Sequence, residues 1–172
     1  MTASPDRERA LEQDVFDEWP PALRAAFDGT SLETKIGFTA SLITRDANGH
    51  LRTSLLGVGE LYAPDSRTLC LALWPHSRAA RALAAGGRAA LTFVFDDAFY
   101  QVQLDIEPLP GAGGDLACFT GSIDTGEAQR VRYARLTGGI TFDLEGAGEA
   151  VLDRWRQQIE HLKKTAGASP GR

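Results

Sequence analysis

At 172 residues, 43% of them hydrophobic and 24% charged, the chain is long enough for one domain whose core needs no disulfide or metal staple. A formal net charge of −5 and a pI near 5.2 exclude a general nucleic-acid binder and a protein held on an anionic membrane surface. No stretch approaches about 18 uninterrupted apolar residues, and the polar start Met1-Thr2-Ala3-Ser4-Pro5-Asp6 lacks a signal-peptide core, so a cytoplasmic protein is expected.

In chain order, Ser4-Pro5-Asp6 has the form of a helix start, and the pattern predicts a helix to about Phe16 with Leu11, Val15 and Phe16 inward. Trp19-Pro20-Pro21 interrupts it, and a second short helix runs from Pro21 to Phe27. Ile36 to Thr44 and His50 to Glu60 read as a hairpin about the turn Asp46-Ala47-Asn48-Gly49. Leu69, Leu71 and Leu73 alternate with Cys70, Ala72 and Trp74, as in a strand. Pro75-His76 ends that strand, Ser77 caps a helix over Arg78 to Ala85, and Gly86-Gly87 stops it. Arg88 to Phe95 and Phe99 to Leu109 form two further strands about an Asp96-Asp97 turn. Pro108 to Gly114 is a loop, and Leu116 to Leu136 fits neither pattern well, with Gly121 and Gly126 counting against a long helix. A last strand is expected over Gly139 to Leu144, then a helix over Gly148 to Lys164 with Val151, Leu152, Trp155, Ile159 and Leu162 on one face. The tail, Thr165 to Arg172, is small and polar and is expected to be disordered.

Ser77, Arg78 and Arg81 put a hydroxyl and two guanidinium groups at a helix start, a combination suited to a phosphate. Arg52 adds a positive charge if its strand lies alongside. The same residues also fit a capped helix with a solvated basic face. Gln101 fits a solvent-facing strand position as well as a ligand contact. Trp74 fits a pocket border or a core or interface position. Cys70 and Cys118 have no ligand-like spacing and read as free thiols in a reducing compartment, with a disulfide as the alternative. His50, His76 and His161 are scattered, so no metal site is expected, although His76 stands beside the anion-binding residues. No Gly-x-Ser-x-Gly or Cys-His pattern suggests covalent catalysis, and no catalytic side chain is assigned.

The order of these pieces resembles the flavin-binding split-barrel group typified by pyridoxamine 5'-phosphate oxidase. That group carries an Arg-x-x-Leu-Leu strand, a hairpin, a Ser-Arg-Lys helix start and a strand with a Gln. Here the matching residues are Arg52-Thr53-Ser54-Leu55-Leu56, then Ser77-Arg78, then Gln101. The resemblance implies a mainly β fold with flanking helices, a six-stranded split β-barrel, and flavin mononucleotide (FMN) as cofactor. It assigns cofactor contacts to Arg52, Arg78 and Gln101, with further contacts from Thr53, Ser54, Leu55, Ala72 and Leu73. Residues 1–35 would be helices packed on the barrel, residues 36–164 the FMN-binding domain with its C-terminal helix, and residues 165–172 a tail. It further implies a homodimer with the cofactor at the interface, acting as an oxidoreductase on a small acceptor. The alternatives are a deazaflavin reductase using the same pocket and a non-catalytic flavin- or haem-binding protein. Two positions depart from the group: its phosphate-binding lysine after Ser-Arg is Ala79 here, and the lysine that ends its first strand motif is Gly57.

Overall fold

The computed structural model describes residues 11–110 and 115–168. Its framework is one curled antiparallel sheet built from β1 (Leu11–Phe16), β2 (Ala40–Arg45), β3 (Leu51–Leu56), β4 (Leu61–Tyr62), β5 (Thr68–Leu73), β6 (Gly87–Phe95), β7 (Ala98–Pro108) and β8 (Ala117–Val131). The strand order is β3-β2-β6-β7-β8-β5-β4, with β1 also paired to β8. Three helices flank it: α1 (Pro21–Ala26), α2 (Arg78–Leu83) and α3 (Gly148–Ala168).

The mainly β class with flanking helices holds, but the sheet has eight strands where six were expected. Five of the six expected strands form, as β2, β3, β5, β6 and β7, while β1, β4 and β8 are additional. The expected strand at Gly139 to Leu144 does not form: the segment joins no ladder and bends at Ile140. Its Phe142 is held by packing instead, edge-on to Trp155 with centroids 6.1 Å apart.

The helix expected up to Phe16 is also corrected: Leu11–Phe16 is a strand, and the remainder of that expected helix lies outside the described residues. β1 runs antiparallel to the second half of β8, from Leu11 opposite Val131 to Phe16 opposite Gly126. Its side chains are mostly exposed, so backbone pairing along an otherwise open edge overrides the helical propensity of Leu-Glu-Gln-Asp. The tail is corrected in part, because α3 continues to Ala168.

β8 explains why its sequence was hard to read. One edge pairs with β7; the other serves β5 through residues 117–122 and β1 through residues 126–131. Its glycines are close-approach positions. A Cβ at Gly126 would overlap the Phe16 ring, and one at Gly121 would come within 2.8 Å of Ile106 Cδ1.

Two cores follow from side-chain alternation. The inner face of the sheet carries Leu42, Leu91, Val102 and Leu104 against Trp19, Leu23, Phe27 and Leu83. β5 is buried on both faces. Leu69, Leu71 and Leu73 join that first core, while Cys70 and Ala72 join a second core beneath Leu152, Trp155, Ile159 and Leu162 of α3. Both cysteines are buried free thiols. No described helix is long and apolar enough to cross a membrane.

Candidate functional site

Strand register decides which expected site residues meet. Residues paired across an antiparallel ladder share a face, and successive residues alternate. Ser54 is opposite Leu42, which is opposite Leu91, so Ser54 and Arg52 share the side of the inner core. Leu55 belongs to the other face, in a row with Ser41, Thr92, Gln101 and Glu127. Thr53 leads the next row of that face, followed by Ile43, Ala90 and Gln103. The expected residues therefore form two sets on either side of the sheet: Arg52 and Ser54 on one, Thr53, Leu55 and Gln101 on the other.

Helix α2 completes the first set. Ala79, Ala80 and Leu83 insert into the inner core, and the helix packs on β2 and β3. This sets Ser77 and Arg78 on the same side of the sheet as Arg52 and Ser54. The Ser77 hydroxyl accepts a hydrogen bond from the Ala80 N–H at 3.1 Å, a standard N-cap that leaves its own proton free to donate. Arg78 and Arg81 are exposed, and neither has a carboxylate partner among the described residues. With six residues, α2 offers little dipole, so any affinity for an anion here rests on the guanidinium groups.

Arg52 is already engaged. Its Nε donates to Asp46 at 3.0 Å, and Asp46 also accepts from the backbone N–H groups of Asn48 and His50, each at 2.9 Å. The Arg52 hydrogen bond is the main reason the Asp46 carboxyl lies below its ordinary range. Across from Arg52 stands Thr44, whose Oγ1 is buried with no hydrogen-bond partner among the described residues. Nothing in the sequence marked Thr44, because its role as a neighbour of Arg52 exists only in the β2–β3 register.

Ala72 and Leu73 are buried, at 1% and 4% exposure, and bring backbone rather than side-chain surface to the strand end that leads into Trp74 and Ser77. The two departures from the group's lysines have structural causes. Ala79 is 1% exposed within the inner core, a position from which a lysine could not reach out without breaking the packing of α2. Gly57 opens a tight turn whose N–H donates to the Glu60 carboxylate at 2.7 Å. Burial pushes the Glu60 carboxyl above its ordinary value.

Open clefts of about 640 and 400 Å³ lie elsewhere, beside the β6–β7 hairpin at Asp96 and Asp97 and along Arg130 to Arg135. Arg130 there is paired with Asp97 at 2.9 Å. The expected cofactor residues thus occupy a sheet edge and an open sheet face, and line neither cleft. Among the described residues, no group of three or more His, Cys, Asp and Glu side chains is placed to hold a metal ion.

No protein-family model matches the chain. A protein of Bacillus subtilis (strain 168), the uncharacterized protein YclD, is 29% identical over 140 residues, spanning 80% of this chain and 90% of that one. Among solved structures, a Lactobacillus delbrueckii protein provisionally described as a pyridoxamine 5'-phosphate oxidase is 14% identical, with a TM-score of 0.49 over 64% of this chain and 94% of that one. An FMN-binding protein from Syntrophomonas wolfei is 11% identical, with a TM-score of 0.45 over 61% and 85% of the two chains. An F420 reductase is 12% identical, with a TM-score of 0.45 over 54% and 90%. These are likenesses of fold.

Proposed function

We propose that the protein is a flavin-binding oxidoreductase that holds FMN and passes electrons to a small acceptor. The observation that carries this reading is the placement of Arg78 and Arg81, exposed and without carboxylate partners among the described residues, on the same side of the β2–β3 pair as Arg52 and Ser54. Two free guanidinium groups with the Ser77 hydroxyl nearby make a donor set for a phosphomonoester. In this assignment Arg78 and Ser77 hold the phosphate, with Arg81 in place of the group's second lysine. Arg52 joins them if Asp46 releases it. Thr53, Leu55 and Gln101 lie on the opposite face, so in this assignment the flavin turns over the edge strand β3 for them to border the ring, while Ala72 and Leu73 contribute backbone.

The bound flavin supplies the redox chemistry, and the protein supplies position and charge. The polar row Ser41, Thr92 and Gln101 can hydrogen-bond a heterocyclic edge, and Leu55, 57% exposed, offers apolar contact. Within one chain this face stays open to water. A second copy covering it would exclude water from the ring, which is the basis for proposing a homodimer with the cofactor at the interface.

The test is titration of the purified protein with FMN, read by quenching of flavin fluorescence, beside the same titration of Arg78→Ala. Saturable binding weakened about tenfold or more in the variant supports the assignment. Equal affinity in the two proteins removes Arg78 from the site.

A further inference from the structure

We infer that the cleft between Trp74 and α3 binds a small planar aromatic molecule carrying a carboxamide-like edge, in a site separate from the one proposed for the flavin. The cleft has a volume of about 300 Å³, within the range of small-ligand sites, and is lined by Trp74, Leu116, Arg154, Gln158 and His161 among others. Three observations converge on it.

The first is the exposure of an aromatic ring. Of the three tryptophans, Trp19 and Trp155 are buried at 4% each, whereas Trp74 is 59% exposed. Trp74 follows Cys70 and Ala72 on the face of β5 that α3 covers, but it extends past the cover and leaves indole surface uncovered. An exposed indole beside Leu116 is a stacking platform for another ring.

The second is a buried amide without a partner. Gln158 is 9% exposed, and its Oε1 has no hydrogen bond among the described residues. Polar atoms removed from water are nearly always paired, so an unpaired one at the wall of a cleft points to an occupant. The third is that His161, a half-buried residue, has a buried Nε2 with no hydrogen-bond partner among the described residues. Gln158 and His161 are three residues apart on one helix and so present neighbouring groups on one face.

Together they ask for a complementary pair: an N–H for the Gln158 carbonyl oxygen and a donor or acceptor for His161, according to its tautomer. A carboxamide on an aromatic ring offers both while its ring lies on Trp74. Both atoms are covered in this structure, so an occupant pairs with them as the Gln158 and His161 side chains turn toward the cleft; water, which could pair with them but not with the indole, is the competing occupant. The inference does not depend on the flavin reading, since no residue lining this cleft is among those assigned to the flavin.

The experiment titrates the full chain with nicotinamide, and with pyridine as the same ring without the carboxamide. Binding is read from the fluorescence of the exposed Trp74 and, independently, by calorimetry. We expect saturable nicotinamide binding with a dissociation constant on the order of 1 mM, and pyridine binding weaker by about tenfold. Gln158→Met, equal in length and apolar, is expected to keep the fold while losing about tenfold in nicotinamide affinity. Trp74→Ala, a surface change, is expected to lose a similar factor by calorimetry. The inference is overturned by absence of saturation at ten times the expected constant, which leaves water alone in the cleft. It is equally overturned by equal affinity for the two ring compounds, or by nicotinamide affinity unaltered in both variants.

Discussion

Arg52 and Arg78 look alike in the sequence, but the fold gives them different neighbours. Arg52 is tied to Asp46 at 3.0 Å, whereas Arg78 has no acidic partner among the described residues. Arg78→Ala is therefore expected to weaken FMN binding by about 1.5–3 kcal/mol, the value of one hydrogen bond to a charged group. Asp46→Asn keeps an oxygen for the Asn48 and His50 N–H groups but removes the charge facing Arg52. Flavin titration of that variant should show tighter binding, and weaker binding would mean that Arg52 takes no part. Cys70 makes a different prediction. Burial pushes its thiol from an ordinary 9.0 to about 11. A group whose folded pKa is raised contributes stability that is complete below its unfolded value and disappears as pH rises through the folded one. Urea unfolding should therefore show stability falling between about pH 9 and pH 11, with a smaller fall in Cys70→Ala.

Among the elements, β8 constrains the fold most, because it serves three neighbours at once. At Gly126 the missing side chain makes room for the Phe16 ring. Gly126→Ala is expected to displace Phe16 at a cost of about 1–3 kcal/mol, with faster amide exchange in residues 11–16 as the specific readout. Slower exchange, or none altered, would show that β1 does not depend on this fit. These glycines also show where sequence reading ran out. Elements defined by their own periodicity were legible: the leucines of β5, the Ser77 cap of α2, and the apolar stripe of α3 at Leu152, Trp155, Ile159 and Leu162. Elements defined by a distant partner were not. β1 has no buried face to announce it, and β8 is interrupted by glycines whose reason lies on β1, β5 and β7. The candidate site was legible as residue types in order. That Arg52 and Gln101 lie on opposite faces, and that Thr44 faces Arg52, follows only from register.

For the whole molecule, the unevenness of cover is the informative feature. One face of the sheet closes on the inner core; the other leaves Leu51 at 73% exposure and Leu55 at 57% on the edge strand β3. If this face is where the second copy binds, Leu55→Glu should shift the protein toward monomer in sedimentation velocity and weaken FMN binding in parallel. A dimer left intact by that change would place the interface elsewhere. The role proposed for the arginines on and beside β3 is to hold a flavin phosphate. The most direct measurement is the visible absorption spectrum of the freshly purified protein, before and after addition of FMN, with denaturation to release any bound chromophore. A flavin spectrum is expected, present at once or acquired on addition, with FMN recovered from the denatured protein. A colourless protein that takes up no added FMN would contradict it.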